Sequence, residues 1–463
     1  MVAENMTDIE KKSQAEPTAW FAQALAYMRI KHWQEAEQAL RQALESDPDY
    51  AEAHCNLGYV LEQRGCPDAA EEAYRRSMAL APSLLNAALN LGVMLQSQSR
   101  FDEVEAIYQQ AIQQHPDQLG PWTNLGILYT AMQRDHEAER CHRQALTLDP
   151  DYRKARFNLS YLLLRQGRFE EGWACLEART MPAQAGFIDA PRWKGEPLSG
   201  KTLLLVCEGG HGDALQFCRY AILLQQQWSV RLHIVCPPAL ERLFAMQSLF
   251  EQVWTKASKA KCDYWCPLLS LPGLFDTRID NIPADTPYLR VDEELAAQWQ
   301  ALLPLDGFRV GLVWKGNPKF ENDTDRSLPS LTTLSPLRQF SNVHFICLQQ
   351  TPASEASEKA LGMKGLPEVM VDFADTAAVI TGLDLVISVD TAVAHLAGAL
   401  GKPCWLMLPH HMADWRWMTT RDDSPWYPTL RLFRQEVRGH WVYVAMCIAL
   451  ALQAKLEAKD TRE

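Results

Sequence analysis

Little in this sequence would take the chain to a membrane. No apolar run approaches the roughly 20 residues that span a bilayer; the best, near Ala445–Leu452, is short and reads as a buried terminal helix. The stretch Met1–Glu10 carries acidic residues and no apolar core, unlike a secretory signal. Basic charge is scarce as well. Against 57 Asp and Glu stand 45 Lys and Arg, a net charge of -12, whereas nucleic acids and anionic membranes require a basic face. The twelve cysteines lack the paired spacing of a zinc site, and Cys262-x-x-x-Cys266 has no second pair. Reduced thiols in a cytoplasm are expected. Asp323-Thr-Asp325 has the spacing of a metal-binding pair, but Asp47-Pro-Asp49 and Asp149-Pro-Asp151 repeat that spacing in turns. No metal is expected.

What is present is a beat. Pro48, Pro82, Pro116 and Pro150 stand 34 residues apart, as do Asn56, Asn90, Asn124 and Asn158. Leu57-Gly58, Leu91-Gly92 and Leu125-Gly126 keep the same time. A period of this size marks stacked helix–turn–helix units, each too small to bury its own apolar face. Each Pro follows a helical run and stops it, since it has no N–H and clashes with the preceding turn. Small residues (Ala36, Ala70 and Ala138 on second helices, the glycines on first) let paired helices approach closely. The block resembles the tetratricopeptide repeat: Trp20, Tyr27, Ala36, Ala43 and Pro48 fit its consensus, as do Trp122, Leu125, Gly126, Tyr129, Ala138, Ala145 and Pro150. An α-solenoid of about five repeats over 17–181 is expected, after a flexible N-terminus at 1–16.

Asparagine is a poor helix former because its amide competes for backbone hydrogen bonds. Four of them in mid-helix therefore need another reason. Stacking would line Asn56, Asn90, Asn124 and Asn158 along a concave surface of the kind that holds extended partners, and an amide carries both donors and an acceptor for a peptide backbone. The pattern is similar to the asparagine ladder of protein O-GlcNAc transferase. The plainer alternative is that each amide bonds a neighbouring helix.

At 463 residues the chain predicts two to four domains. The fifth repeat degrades: Ser160 replaces Gly and Gly172 takes the Ala position. Residues 182–200, rich in Pro and Gly, read as a linker. Short apolar strands then alternate with helices, the mark of parallel α/β domains. Strands are expected at Lys201–Cys207, Val230–Cys236, Gln252–Trp254 and Asp263–Cys266, then at Phe308–Trp314, Val343–Leu348, Glu368–Val371, Leu383–Ser388 and Cys404–Leu408. Helices are expected at Ala214–Gln226, Ala239–Met246 and Ala392–Leu400. Two Rossmann-like lobes, 201–300 and 301–463, would face a cleft.

Two motifs carry chemistry. The loop Glu208-Gly-Gly-His-Gly-Asp213 follows the first strand; its glycines do not match the dinucleotide fingerprint, but they let a ligand come close. Asp213 is either a helix N-cap or a carboxylate at the active edge of a parallel sheet, placed to act as a base. In the second motif a strand ends at Asp390-Thr391, and the small-residue helix that begins at Ala392 offers free N–H groups and a dipole to an anion. His395 lies about one turn in. The plain alternative is that Asp390 and Thr391 cap the helix and His395 is a core residue. Aromatics gather at Pro409–Trp417 and Ser424–Pro428, fit either for stacking on a sugar or base or for the core.

Gly212-Asp213 and Asp390-Thr391-x-x-x-His395, followed by Ala-Leu-Gly-Lys-Pro403, resemble the bacterial heptosyltransferases over roughly residues 200–435. The resemblance implies a two-lobed GT-B fold with Asp213 as base. Gly212, Arg326, Asp390, Thr391, Ala392 and His395 would serve a nucleotide-sugar donor, which is substrate rather than cofactor. This chain departs from the family in having Ala392 where Gly is usual, and Arg326 where a Lys would hold phosphate. The whole arrangement is similar to bacterial proteins that join such repeats to a glycosyltransferase, some of which modify flagellin. A cytoplasmic protein glycosyltransferase is the expectation, with the acceptor polypeptide held by the four asparagines. A non-catalytic adaptor with a degenerate transferase domain is the alternative.

Overall fold

The structure, a computed structural model, describes residues 17–320, 322–349, 361–363, 366 and 369–460. The expected flexible N-terminus, 1–16, lies outside them. The chain forms two compact units, one ending at Asn158 and one beginning at Leu159.

The first unit is helical throughout. Antiparallel pairs follow one another: Pro17–Arg29 with Trp33–Ser46, Ala51–Gln63 with Pro67–Leu80, Leu85–Ser97 with Phe101–Gln114, and Leu119–Ala131 with Asp135–Leu148. The periodic glycines are where partner helices touch. A Cβ on Gly58 would lie 2.7 Å from the Tyr74 ring, and one on Gly126 would lie 2.6 Å from the His142 ring; Gly92 meets Tyr108 in the same way. A second 34-residue series was not legible in the sequence. Lys31, Gly65, Ser99, Gln133 and Gly167, one turn in each repeat, all have positive φ, between 59° and 78°. This is the left-handed conformation that ends a helix and turns the chain back. Arginines at the helix starts join a carboxylate of the preceding repeat to one of their own helix: Arg100 bonds Glu71 and Glu103, and Arg134 bonds Glu105 and Glu137.

The second unit holds two all-parallel sheets. Strands β1 (Thr202–Val206), β2 (Arg231–Val235), β3 (Gln252–Trp254) and β4 (Tyr264–Pro267) are ordered β3-β2-β1-β4. Strands β5 (Phe308–Val313), β6 (Val343–Cys347), β7 (Leu385–Val389), β8 (Cys404–Leu408) and β9 (Leu430–Arg434) are ordered β6-β5-β7-β8-β9. The central strands β1, β7 and β8 are buried at every position, as parallel strands covered on both faces must be. Residues 182–200 lie along the first sheet: the Trp193 N–H donates to Trp265 O at 2.8 Å, and its ring is buried against Trp228 and Phe275.

The structure differs from expectation in four places. The helix expected over Ala214–Gln226 is two, His211–Phe217 and Tyr220–Gln227. Val369–Val371 joins no sheet, and Glu368 lies outside the described residues. β9, with charged Arg431 and Arg434 among its apolar residues, had not been foreseen. The terminal helix runs over Trp441–Asp460, long and apolar enough by length and composition to cross a membrane. One of its faces (Trp441, Val444, Ala445, Ile448, Leu452) packs into the core of the second sheet.

Candidate active site

Asp213 enters the site through local chain geometry. After β1 the backbone turns through Gly209, whose φ is 70° and where a Cβ would collide with the Asp213 carboxylate. Only glycine suits that position. Gly210, not Asp213, is the N-cap of helix His211–Phe217, and Asp213 at the third helical position reaches back so that Oδ2 accepts from Gly210 N at 2.6 Å. The loop is anchored at its other end by Glu208, which takes a bidentate pair from Arg179 at 2.7 and 3.0 Å and an N–H from Leu269.

The second oxygen of Asp213 is held by a residue that the sequence had not singled out. Arg416 Nη2 donates to Asp213 Oδ1, its Nη1 to both oxygens of Asp414 at 3.0 and 3.1 Å, and its Nε to Gln216 Oε1. Burial raises the Asp213 pKa above the usual carboxylate value, Arg416 and the Gly210 N–H pull it down, and Asp414 pushes it up. The only sequence signal was one Arg between Trp415 and Trp417.

On the second sheet, Asp390 directly follows β7 and Thr391 is the N-cap of helix Ala392–Ala399. The Thr391 hydroxyl is turned to Ser388 Oγ at 3.0 Å and makes no capping bond, so the first N–H groups of this helix are not satisfied by the cap. Ala392 has a helical backbone without positive φ, and its difference from the family's Gly carries no conformational strain. Burial and the neighbouring Asp414 push the Asp390 pKa up to about 7, opposed by the Trp417 indole, Arg326 and Arg416. The Trp417 N–H faces Asp390 and is buried without a hydrogen-bond partner among the described residues. Arg326 covers Gly316, in the loop after β5, and lies 4.4 Å from the Phe320 ring centroid, with Nε 3.2 Å from Asp323.

His395 joins the two motifs. It is buried, with Nδ1 2.9 Å from the Tyr427 hydroxyl and its ring 5.2 Å from that of Trp417. Gly212 lies directly against it, since a Cβ there would be 2.7 Å from His395 Cδ2. Burial, then Arg416 and Arg219, hold its pKa well below the ordinary imidazole value, so the ring is neutral. The helices that begin at His211 and Ala392 thus pack on each other. Gly212, Asp213, Asp390, Thr391, Ala392 and His395 fall at one place, with Arg326 within electrostatic reach of Asp390. The aromatic cluster belongs to the core: Trp415, Trp417, Trp426 and Tyr427 are at most 2% exposed. Asp323 is engaged by Ser327 and Arg326, and Asp325 by Arg438.

In the first unit Asn56, Asn90, Asn124 and Asn158 are half-buried, one each on helices Ala51–Gln63, Leu85–Ser97, Leu119–Ala131 and Arg153–Arg165. Asn124 Oδ1 accepts from Lys154 at 3.4 Å, and Asn158 Nδ2 is buried without a partner among the described residues.

The model of glycosyltransferase family 9 (heptosyltransferase) matches residues 351–407, which include Asp390, Thr391, Ala392 and His395 but not Asp213 or Arg326. Models of the tetratricopeptide repeat match 24–65 and 123–185, and that of the middle TPR-like domain of cilia and flagella-associated protein 70 matches 46–142. Repeats and a family 9 glycosyltransferase domain share this one chain. The repeat–glycosyltransferase chain is 29% identical over 333 residues to protein FlbA of Caulobacter vibrioides, covering 64% of this chain and 54% of FlbA. It therefore spans about half the length of that relative. Among solved structures it is similar to Pseudomonas aeruginosa PilF (23% identity, 37% of this chain and 79% of that one, TM-score 0.34). It is also similar to TTC0263, a TPR protein of Thermus thermophilus (21% identity, 35% and 89% covered, TM-score 0.31).

Proposed function

We propose that this protein is a protein glycosyltransferase that moves a sugar from a nucleotide sugar to a hydroxyl of a polypeptide held by the repeats. The observation that carries the reading is the meeting of Asp213 with the Asp390–Thr391 helix start through the Gly212–His395 contact. A carboxylate and an anion-binding helix end at the C-terminal edges of two parallel sheets are what an acceptor hydroxyl and a departing diphosphate need. Asp213 takes the hydroxyl proton as the acceptor oxygen attacks the anomeric carbon. The bond from that carbon to the diphosphate breaks with its electron pair on the phosphate oxygen. Arg326 and the free N–H groups of helix Ala392–Ala399 receive the new charge, and such preorganised stabilisation is usually the largest catalytic term. Asp390, whose pKa is pushed up to about 7, carries a proton for part of the time at neutral pH and repels the diphosphate less than an ordinary carboxylate would. The asparagines would hold the acceptor backbone, and flagellin, on the likeness drawn from sequence, is the first acceptor to try.

A second reading, a non-catalytic adaptor, draws support from one feature: both Asp213 oxygens already have partners. Calorimetric titration of UDP, GDP, ADP and CDP into the full chain separates the two. A transferase binds one of them, and Arg326→Ala weakens that binding by about 2–4 kcal/mol, as loss of one member of a hydrogen-bonded charge pair does. Binding that Arg326→Ala leaves unchanged would move the diphosphate elsewhere, and no binding at all would favour the adaptor.

A further inference from the structure

Arg416 is held on every side. It is 5% exposed, its guanidinium lies 4.4 Å from the Trp415 ring centroid and 5.3 Å from that of Phe217, and its donors engage Asp213, Asp414 and Gln216. Gln216 is fully buried, and its Nε2 has no partner among the described residues, so that the amide is oriented through Arg416 alone. Arg416 and Asp213 are 203 residues apart in the chain, Asp213 following β1 of the first sheet and Arg416 following β8 of the second. A planar fork that grips carboxylates from both sheets fixes distance and direction together, which a lysine's point charge would not. Moving it would leave two half-buried carboxylates without their cation, a costly state.

We propose that Arg416 is a positioning residue of the transfer reaction, fixing one oxygen of Asp213, keeping that carboxylate charged, and tying the base of the first sheet to the donor loop of the second. This rests on the reading of Asp213 as base. Arg416 neither gives nor takes a proton; the acceptor's proton goes to the remaining lone pair of Asp213. The charges that face Asp213 show why a cation is required. Asp414, from the second sheet's loop, is the anion among them; burial keeps Tyr161 of helix Arg153–Arg165 and Cys207, just after β1, in their neutral forms, Glu208 is neutralised by Arg179, and His395 carries no charge. Burial and Asp414 favour the protonated acid, and Arg416 is the full charge that opposes them. Without it the carboxyl would keep its proton to higher pH and could not accept another.

The test uses the full chain with Arg416→Gln and Arg416→Lys, each alone and combined with Asp213→Asn. Release of nucleoside diphosphate from UDP-N-acetylglucosamine, GDP-mannose and ADP-heptose is followed from pH 5 to 9. Arg416→Gln should lower kcat by about 10²-fold at pH 7, change donor KM by less than about twofold, and move the acidic limb up by about 1–3 pH units, the usual worth of a neighbouring arginine. Arg416→Lys should recover part of the rate. On the Asp213→Asn background, Arg416→Gln should cost under about threefold more, because residues that act as a unit are not additive. An unmoved acidic limb, or losses that multiply in the double variant, would overturn the proposal. Titration of ¹³Cγ-labelled aspartate, with the Asp213 signal assigned by its loss in Asp213→Asn, gives the midpoint without turnover; it should rise in Arg416→Gln, and an unchanged midpoint refutes the role of Arg416. If Arg416→Gln does not fold, Arg416→Lys carries both measurements, with a smaller shift of the same sign. If wild type releases nothing from all three donors, the transferase reading fails on them while the titration still decides the case of Arg416.

Discussion

His142 should make the repeat unit sensitive to acid. It occupies the position held by Tyr108 and Tyr74 one and two repeats earlier, and its ring lies against Gly126 as theirs lie against Gly92 and Gly58. The tyrosine hydroxyls reach Glu62 and Leu89 O, whereas both His142 nitrogens are buried with no partner among the described residues. Burial alone pushes the imidazole down to about 4, against about 6.5 in an unfolded chain. Because the folded value is depressed, the favourable contribution is fully present above about pH 6.5 and is lost as pH falls toward 4: the unfolded chain takes up the proton first. At 1.36 kcal/mol per unit the loss by pH 5 is about 2 kcal/mol, approaching about 3.4 kcal/mol below pH 4. Hydrogen exchange of the amides in Leu119–Ala131 and Asp135–Leu148, read across a urea series at pH 7.5 and pH 5, measures the stability of this repeat in the full chain. Wild type should lose about 2 kcal/mol more than His142→Tyr between the two pH values. Equal losses would mean that His142 is hydrated or hydrogen-bonded in solution and that its burial sets no pH dependence.

Other perturbations reach the remaining claims. Asp213→Asn should lower turnover by about 10²–10⁴, the worth of a general base, with calorimetric affinity for the nucleoside diphosphate unchanged; near-normal turnover would remove Asp213 from the chemistry. Gln133→Gly should stabilise its repeat by roughly 0.5–1 kcal/mol, since glycine adopts the left-handed turn freely and glutamine does not; a lower midpoint in the same exchange experiment would show that the Gln133 side chain matters more than its backbone. Replacing Asn90, Asn124 and Asn158 together by Ala should raise the KM of a polypeptide acceptor about tenfold or more, at about 0.5–1.5 kcal/mol per lost hydrogen bond, with donor hydrolysis unaffected. An unchanged acceptor KM would make the ladder structural.

The features that repeat or lie close together in the chain were legible before the structure. Prolines and glycines at a fixed spacing give the stacked helix pairs because each has a local backbone reason to be there. The parallel strands were visible as apolar runs such as Thr202–Val206 and Leu385–Val389. What stayed hidden has physical causes. The left-handed turns at Lys31, Ser99 and Gln133 have no residue signature, because the stacked helices on either side impose the conformation against local preference. β9 reads as polar because Arg431 is exposed and Arg434 bonds two carbonyls, of Trp417 and Arg421.

The site divides along the same line. Asp213, Asp390 and Thr391 could be named because a strand end followed by a helix start is a local event. Arg416 could not, since its role depends on a carboxylate and an amide, Asp213 and Gln216, brought from far along the chain, and a lone Arg between tryptophans is as readily a stacked core residue. The tryptophans beside it are core, and Arg416 is fixed between rings and acceptors: its guanidinium lies close to Trp415 and Phe217 and its donors engage Asp213, Asp414 and Gln216. A cation held in this way is poorly placed to follow a departing phosphate. On the proposed mechanism, charge stabilisation of the diphosphate would fall to Arg326, whose guanidinium lies over the Phe320 ring, and to the helix that starts at Ala392. This division of labour is what the two arginine variants measure. Arg326→Ala should change nucleotide affinity and Arg416→Gln the pH dependence of turnover; an exchange of these effects would mean that Arg416 contacts the donor directly.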